Sequence, residues 1–331
     1  MLIRGGFVDL QVNGFLGVDF SSAELTMDAI REVTRALADR GTGAYCPTII
    51  SSPMETYRRN LPMLAAAMRD PDMKDRLLGI HLEGPCISPE DGARGAHARE
   101  NVRRPDPAFF DEAQKLAEGN VVLLTVAPEV EGGPGLIRHV AARSPQTAVG
   151  IGHSLADRAQ VAAAVEAGAK FSTHLGNGIP STVNRHNNPI WPQLADDRLS
   201  AFLITDGHHL PADYIRVALR AKGVRRCIVT SDSSSVGGMP PGEYFALGRK
   251  VVIEPSGKLR CADSEYLAGS SACILECMNH LASLGFLKPA DLVRTGRDNP
   301  LALLSGRKKV RLPETPEVRF EDGRFVAGKG S

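Results

Sequence analysis

The sequence predicts an α/β protein, a (β/α)8 TIM-type barrel, on three observations. Eight short apolar runs recur along the chain. Segments of helical period separate them, and chemically demanding polar residues gather where the runs end. The runs are FVDLQVN, GAYCPTII, LLGIHLEG, NVVLLTVAP, TAVGIGHS, AKFSTHLG, LSAFLITD and RCIVTSDS. After the first run, TMDAIREVTRALADRG sets Met27, Ile30, Val33 and Leu37 on one helical face, with Thr26 as N-cap and Gly41 as the stop. SLADRAQVAAAVEAGA ends in the same manner at Gly168. A doubly wound open sheet is the alternative, but no GxGxxG follows the first run.

A chain of 331 residues exceeds the usual single domain unless it is a barrel. We assign residues 1–310 to the barrel, including a β-hairpin insertion at about 243–267 that hangs over its mouth and turns at Ser256-Gly257. Residues 311–331 read as a short C-terminal hairpin or tail turning at Asp322-Gly323. The apolar fraction of 43%, charged fraction of 23% and net charge of +1 suit a compact globular protein. They give no reason to expect nucleic acid or a membrane as partner, so a small molecule is expected. No apolar run reaches membrane-spanning length, and the N-terminal stretch is too short for a signal peptide, which predicts a cytoplasmic protein. The six cysteines lack CxxC spacing and are expected to be buried free thiols.

The polar residues share an address. Gln11 and Asn13 close the first run, His81 and Glu83 the third, His153 the fifth, His174 the sixth, Asp206 the seventh and Asp232 the eighth. In a parallel barrel all strand C-termini open onto one rim. Glu83, His153 and His174 supply the two imidazoles and one carboxylate that hold a catalytic divalent metal, predicted to be a single ion. Zinc is the first choice, although iron, manganese and cobalt accept the same donors. Asp232 is the candidate general base and acid, with a helix-capping role as its plain alternative.

With HLEGP at 81–85, GHS at 152–154, THLGNG at 173–178, DGHH at 206–209 and TSDS at 230–233, the chain resembles the N-acetylglucosamine-6-phosphate deacetylases of the amidohydrolase superfamily. The resemblance spans roughly residues 7–305. It implies that Glu83, His153 and His174 are metal ligands and Asp232 the acid/base. It further implies that His97 and His209 contact the sugar, that the backbone at Asn177 and Gly178 receives its distal end, and that Arg185 binds phosphate. In dimeric members that arginine reaches the neighbouring subunit's site, so a homodimer is expected. Gln11 and Asn13 stand where many amidohydrolases carry the His-x-His of a second metal. Neutral amides are poor zinc ligands, and the expected role is hydrogen bonding to the ligand shell or a water, or tying the strand end to a loop.

The chain departs from the family in two places. Members normally carry an N-terminal segment that joins the C-terminal tail in a small β-sandwich, and here that second domain is expected to be reduced or absent. After Arg185 the sequence runs RHNNP in place of the usual acidic residue, proline and glycine. Substrate phosphorylation is therefore open, and Trp191, His186 and His208 are offered as a sugar-binding surface or, more plainly, as core and solvated residues. The expected reaction is metal-dependent deacetylation of an N-acetylated amino sugar. An amidohydrolase acting on an N-acyl amino acid or cyclic amide, and a non-catalytic sugar-binding barrel, are the alternatives.

Overall fold

A computed structural model of the chain describes residues 1–264, 266–305 and 311–328. Residues 265, 306–310 and 329–331, which the sequence reading divides among the insertion, the barrel and the tail, lie outside the described residues. Eight parallel strands lie side by side in chain order: Phe7–Val12, Thr42–Ile50, Ile80–Glu83, Val121–Val126, Ala148–Ile151, Phe171–Ser172, Ser200–Ile204 and Cys227–Thr230. A helix follows each, beginning with Met27–Asp39 and ending with Ile274–Ser283. The doubly wound alternative is excluded, because strand order never reverses.

The helices form for local reasons that the sequence displays. In Met27–Asp39 the Thr26 hydroxyl accepts from Ala29 N–H at 3.2 Å, and Ile30, Val33 and Leu37 are buried. Gly41 takes φ +86°, a conformation that ends the helix cheaply only for glycine. Arg158–Ala167 starts at an Asp157–Gln160 capping box and stops at Gly168.

Side chains of the first strand close the barrel against the eighth. Among the described residues only Val12 and Ser233 form a bridge there, with Asn13 N–H donating to Ser233 O at 2.8 Å. Deeper down, Asp9 Oδ1 accepts from the Thr230 hydroxyl at 2.7 Å and from Ser231 N–H at 3.1 Å. Period two then puts Gln11 and Asn13 on the same side as Asp9, above it on the seam.

Two smaller sheets are attached. Leu2–Arg4 pairs with the hairpin Glu317–Glu321 and Arg324–Ala327, turning through Asp322 and Gly323 at φ +49° and +79°. This sheet seats Phe325 edge-on to Phe7, with ring centroids 4.9 Å apart. The second sheet, Gly242–Ala246, Arg249–Ile253 and Leu259–Cys261, follows the eighth barrel strand and has its own small core, including Val251, Leu259 and Cys261. All six cysteines are buried and outside any disulfide, and no described helix is long and apolar enough to cross a membrane.

The seam yields a stability prediction. Asp9→Ala strands the buried donors of Thr230 and Ser231, and each stranded donor costs about 1–3 kcal/mol. Denaturant titration should show that loss, and Asp9→Asn, which keeps an acceptor, should recover much of it.

Candidate active site

The functional side chains mostly sit one or two residues beyond the strands. His153, His174 and Asp232 take φ of +49°, +26° and +51°, values that non-glycine residues adopt rarely and at an energetic cost. Each chain thus turns sharply as it leaves its strand and directs its side chain across the rim. Glu83 is the last residue of the third strand, while Gln11 lies within the first. The rim encloses a cavity of about 270 Å³ whose lining includes Glu83, His97, His153, His174, His209 and Asp232.

Glu83 Oε1 is the meeting point. It lies 3.2 Å from His153 Nε2 and 2.8 Å from His174 Nε2, and those two nitrogens are 3.1 Å apart. Ligand atoms around a tetrahedral ion with bonds of about 2.0–2.1 Å stand about 3.3 Å from one another, so this triangle fits a divalent cation. His153 Nδ1–H donates to Ala93 O at 2.8 Å, which leaves a lone pair on Nε2 for the cluster. Its ring is held between glycines. A Cβ on Gly178 would stand 2.9 Å from Nδ1, and one on Gly95 3.1 Å from Cε1.

His97 competes with His174 on distance alone, since ligand atoms of Glu83, His97 and His153 lie within 4.8 Å of one another. Protonation separates the two histidines. Ser51 N–H donates to His97 Nδ1 at 3.3 Å, with the Ser51 hydroxyl 2.9 Å away. The proton of the neutral ring must then sit on Nε2, making that atom a donor toward the site. Burial, and then the neighbouring His153, pull His97 down to about 3 and keep it neutral. At His174 burial also opposes charge, but the bond and charge of Glu83, together with Asp232, outweigh it and raise the imidazole. The cluster therefore draws positive charge to the position of His174.

Asp232 completes the floor. Gln11 Nε2–H donates both to Glu83 Oε1 at 2.8 Å and to Asp232 Oδ1 at 2.9 Å, and Asn13 Nδ2–H donates to the same Asp232 oxygen at 2.7 Å. Gln11 Oε1 and Asn13 Oδ1 are buried without a partner among the described residues. Burial and the charge of Glu83 push Asp232 up to about 6. For Glu83 itself burial is outweighed by His153 and His174, which hold it well below the ordinary carboxylate range.

On the opposite wall, His209 Nδ1–H donates to Asp206 Oδ2 at 2.8 Å, leaving Nε2 as the nitrogen available to the cavity. Burial opposes the Asp206 charge, but His209 and two backbone N–H groups lower its carboxyl well below the usual range. Asn177 and Gly178 line the cavity, as do Leu247 and Tyr266 from the attached sheet and the segment after it.

Other expected residues lie elsewhere. Arg185 and His186 are exposed and outside the cavity lining, and Trp191, 49% exposed and thus not core, donates its indole N–H to Arg185 O. His208 faces Ser256 O at 3.1 Å, outside the cavity lining. His81 turns into the barrel interior against the Thr125 hydroxyl at 2.9 Å, because the pleat places it one layer below Glu83. The sequence does not display the orienting roles of Ser51, Ala93 O and Asp206. A serine and a backbone carbonyl carry no motif, whereas Asp206, three residues before His209, had a readable spacing.

No protein-family model matches the chain. Among characterised proteins it is 32% identical over 320 residues to the N-acetylglucosamine-6-phosphate deacetylase of Bos taurus, covering 93% of this chain and 76% of that protein. It is 34% identical to the Homo sapiens enzyme of the same name, over 84% and 68% of the two chains. The N-acetylgalactosamine-6-phosphate deacetylase of Escherichia coli O157:H7 matches at 29% over 92% and 78%. The crystal structure of N-acetyl-D-glucosamine-6-phosphate deacetylase from Mycobacterium smegmatis superposes with a TM-score of 0.87 at 26% identity, covering 99% of this chain and 86% of that one. A dihydroorotase at 12% identity and a TM-score of 0.53, covering 99% and 83%, shares the fold.

The glycine cradle is testable. Gly178→Ala places a Cβ in a left-handed backbone and against the His153 ring, a conformational cost of about 1–2 kcal/mol before any clash. Its melting temperature should fall and its histidine NMR signals should shift, whereas Gly17→Ala, with open space around it but the same φ sign, should leave the histidine signals in place.

Proposed function

Because the chain belongs to the N-acetylglucosamine-6-phosphate deacetylase family of amidohydrolases, we propose that it removes the N-acetyl group from an amino sugar. The substrate is N-acetylglucosamine 6-phosphate or a related N-acetylhexosamine, and the products are acetate and a free amine. The observation that carries this reading is the position of Asp232, fixed by two amides beside the triangle of Glu83, His153 and His174. The cavity volume, about 270 Å³, lies at the small end for ligand sites and suits one sugar ring better than a chain.

Glu83, His153 and His174 would hold one divalent cation, with zinc the first choice for a set of two imidazoles and a carboxylate. When bound, that ion supplies the Lewis acidity that polarises the acyl carbonyl and makes a water acidic near neutral pH. Asp232, its carboxylate held by Gln11 and Asn13, takes the proton of the attacking water and hands it to the departing amine. His97 donates from Nε2 to the carbonyl oxygen as charge develops on it. His209, braced by Asp206, holds a sugar hydroxyl, and the turn at Asn177 and Gly178 receives the far end of the ring. Gln11 and Asn13 orient the two carboxylates in place of a second ion.

Among the described residues no arginine or lysine lines this chain's cavity. We therefore assign phosphate recognition to Arg185 of a second copy in a homodimer, consistent with its exposure here. Six buried thiols without a disulfide suit the reducing cytosol.

The experiment is acetate release from N-acetylglucosamine, N-acetylgalactosamine and their 6-phosphates, alongside metal analysis. We expect one ion per chain and turnover of at least one of these sugars. Turnover of acyl amino acids with none of the sugars would overturn the reading. Asp232→Asn should keep the ion and lose about 10²–10⁴-fold in kcat. Arg185→Ala should raise KM for a phosphorylated sugar and leave the unphosphorylated one unaffected, and equal effects on both would remove Arg185 from phosphate binding.

A further inference from the structure

We propose that Glu129, which follows the fourth barrel strand, is a positioning residue that fixes the backbone carrying His153. Its two carboxylate oxygens are divided between consecutive residues just beyond that histidine. The Ser154 hydroxyl donates to Oε2 at 2.6 Å, and Leu155 N–H donates to Oε1. The Ser154 oxygen in turn accepts from Ala156 N–H at 3.0 Å, so one carboxylate organises three successive residues of the loop.

This loop requires an external anchor. His153 takes φ +49°, a conformation its own side chain disfavours, and Asp157 begins the next helix only four residues on. From the other side, Ser88 N–H donates to His153 O at 3.0 Å. The imidazole is meanwhile fixed by Ala93 O and by the backbones of Gly95 and Gly178. Those contacts orient the ring, but they do not prevent the main chain beneath it from relaxing to an ordinary φ, which would swing Nε2 away from Glu83. Glu129 does prevent it. Its own placement is firm, because Pro128 precedes it and the turn around it is tied by Val130 N–H to Ala127 O and Gly133 N–H to Val130 O. Glu129 does not line the cavity, so it acts only through His153. A carboxylate suits the task because it accepts from two donors at once and offers none of its own.

The inference rests on the reading of His153 as a metal ligand, and zinc itself is the probe. Glu129→Ala should weaken zinc affinity, measured by competition with a chelating dye, by about 10–100-fold, the range typical of groups that orient a ligand. The melting temperature of its zinc-free form should stay near that of the parent. Glu129→Gln retains an acceptor for Leu155 and can donate to the Ser154 oxygen, so it should restore zinc affinity. Glu129→Ala that binds zinc as the parent does overturns the inference alone. So does an affinity loss that glutamine fails to rescue and that tracks a lowered zinc-free melting temperature. A parent protein that binds no zinc overturns the metal reading and this inference with it. Should Glu129→Ala not fold, Ser154→Ala removes one of the two contacts; weaker zinc binding then supports the role and unchanged binding refutes it.

Discussion

The arrangement depends on the burial of two carboxylates within reach of a single amide. Glu83 and Asp232 both accept from Gln11 Nε2, and among the described residues neither has an arginine or lysine beside it in the cavity. Two negative groups out of water repel each other and lose hydration, a combination that proteins tolerate only with strong compensation. The neutral amides of Gln11 and Asn13 offset part of this by hydrogen bonding. The remainder shows as displaced protonation: Asp232 is pushed up to about 6 and the His174 imidazole is raised. A divalent cation among Glu83, His153 and His174 would offset the same imbalance more completely. The donor set and the electrostatics thus support one reading.

Geometry at the rim rests on sharply turned backbone held by hydrogen bonds. Three of the rim residues, His153, His174 and Asp232, occupy left-handed conformations, and the surrounding structure must hold them there. Hydrogen bonds across the seam do so for Asp232, since the first strand grips the eighth through Asp9, Gln11 and Asn13 in succession. For His153 the corresponding contacts are those of Glu129 with Ser154 and Leu155, while Gly95 and Gly178 press on the ring itself. The barrel wall therefore acts as the frame against which strain at the rim is balanced, and the seam, joined among the described residues by the single Val12–Ser233 bridge, lies beside Asp232.

Much of this was legible in the sequence because buried strands leave continuous apolar runs and helices leave a 3.6-residue period. The eight runs mark the eight strands, and Thr26, Gly41 and Gly168 mark helix ends by their ordinary chemistry. The meeting of Gln11, Asn13, Glu83, His153, His174 and Asp232 followed from the rule that strand ends share one rim. Strand ends themselves were overextended, because His153, His174 and Asp232 continue the apolar run in sequence while their backbones have already turned. The HLEGP motif sets His81 beside Glu83 in sequence, whereas period two puts it a layer deeper in the barrel. The orienting partners were not legible: Ser51, Ala93 O and Glu129 act through loops whose approach depends on tertiary structure. Nor was the exposure of Arg185 and Trp191, which the tertiary structure decides.

The central claim is that Glu83, His153 and His174 share one ion while His97, close by, donates a proton instead of a lone pair. Anomalous diffraction at the zinc edge, from crystals grown with zinc, measures this directly. The account predicts one peak bonded to Glu83, His153 Nε2 and His174 Nε2 at about 2.0–2.2 Å, with His97 outside bonding distance. A peak ligated by His97 in place of His174, a second peak at Gln11 and Asn13, or no peak in the cavity would contradict it.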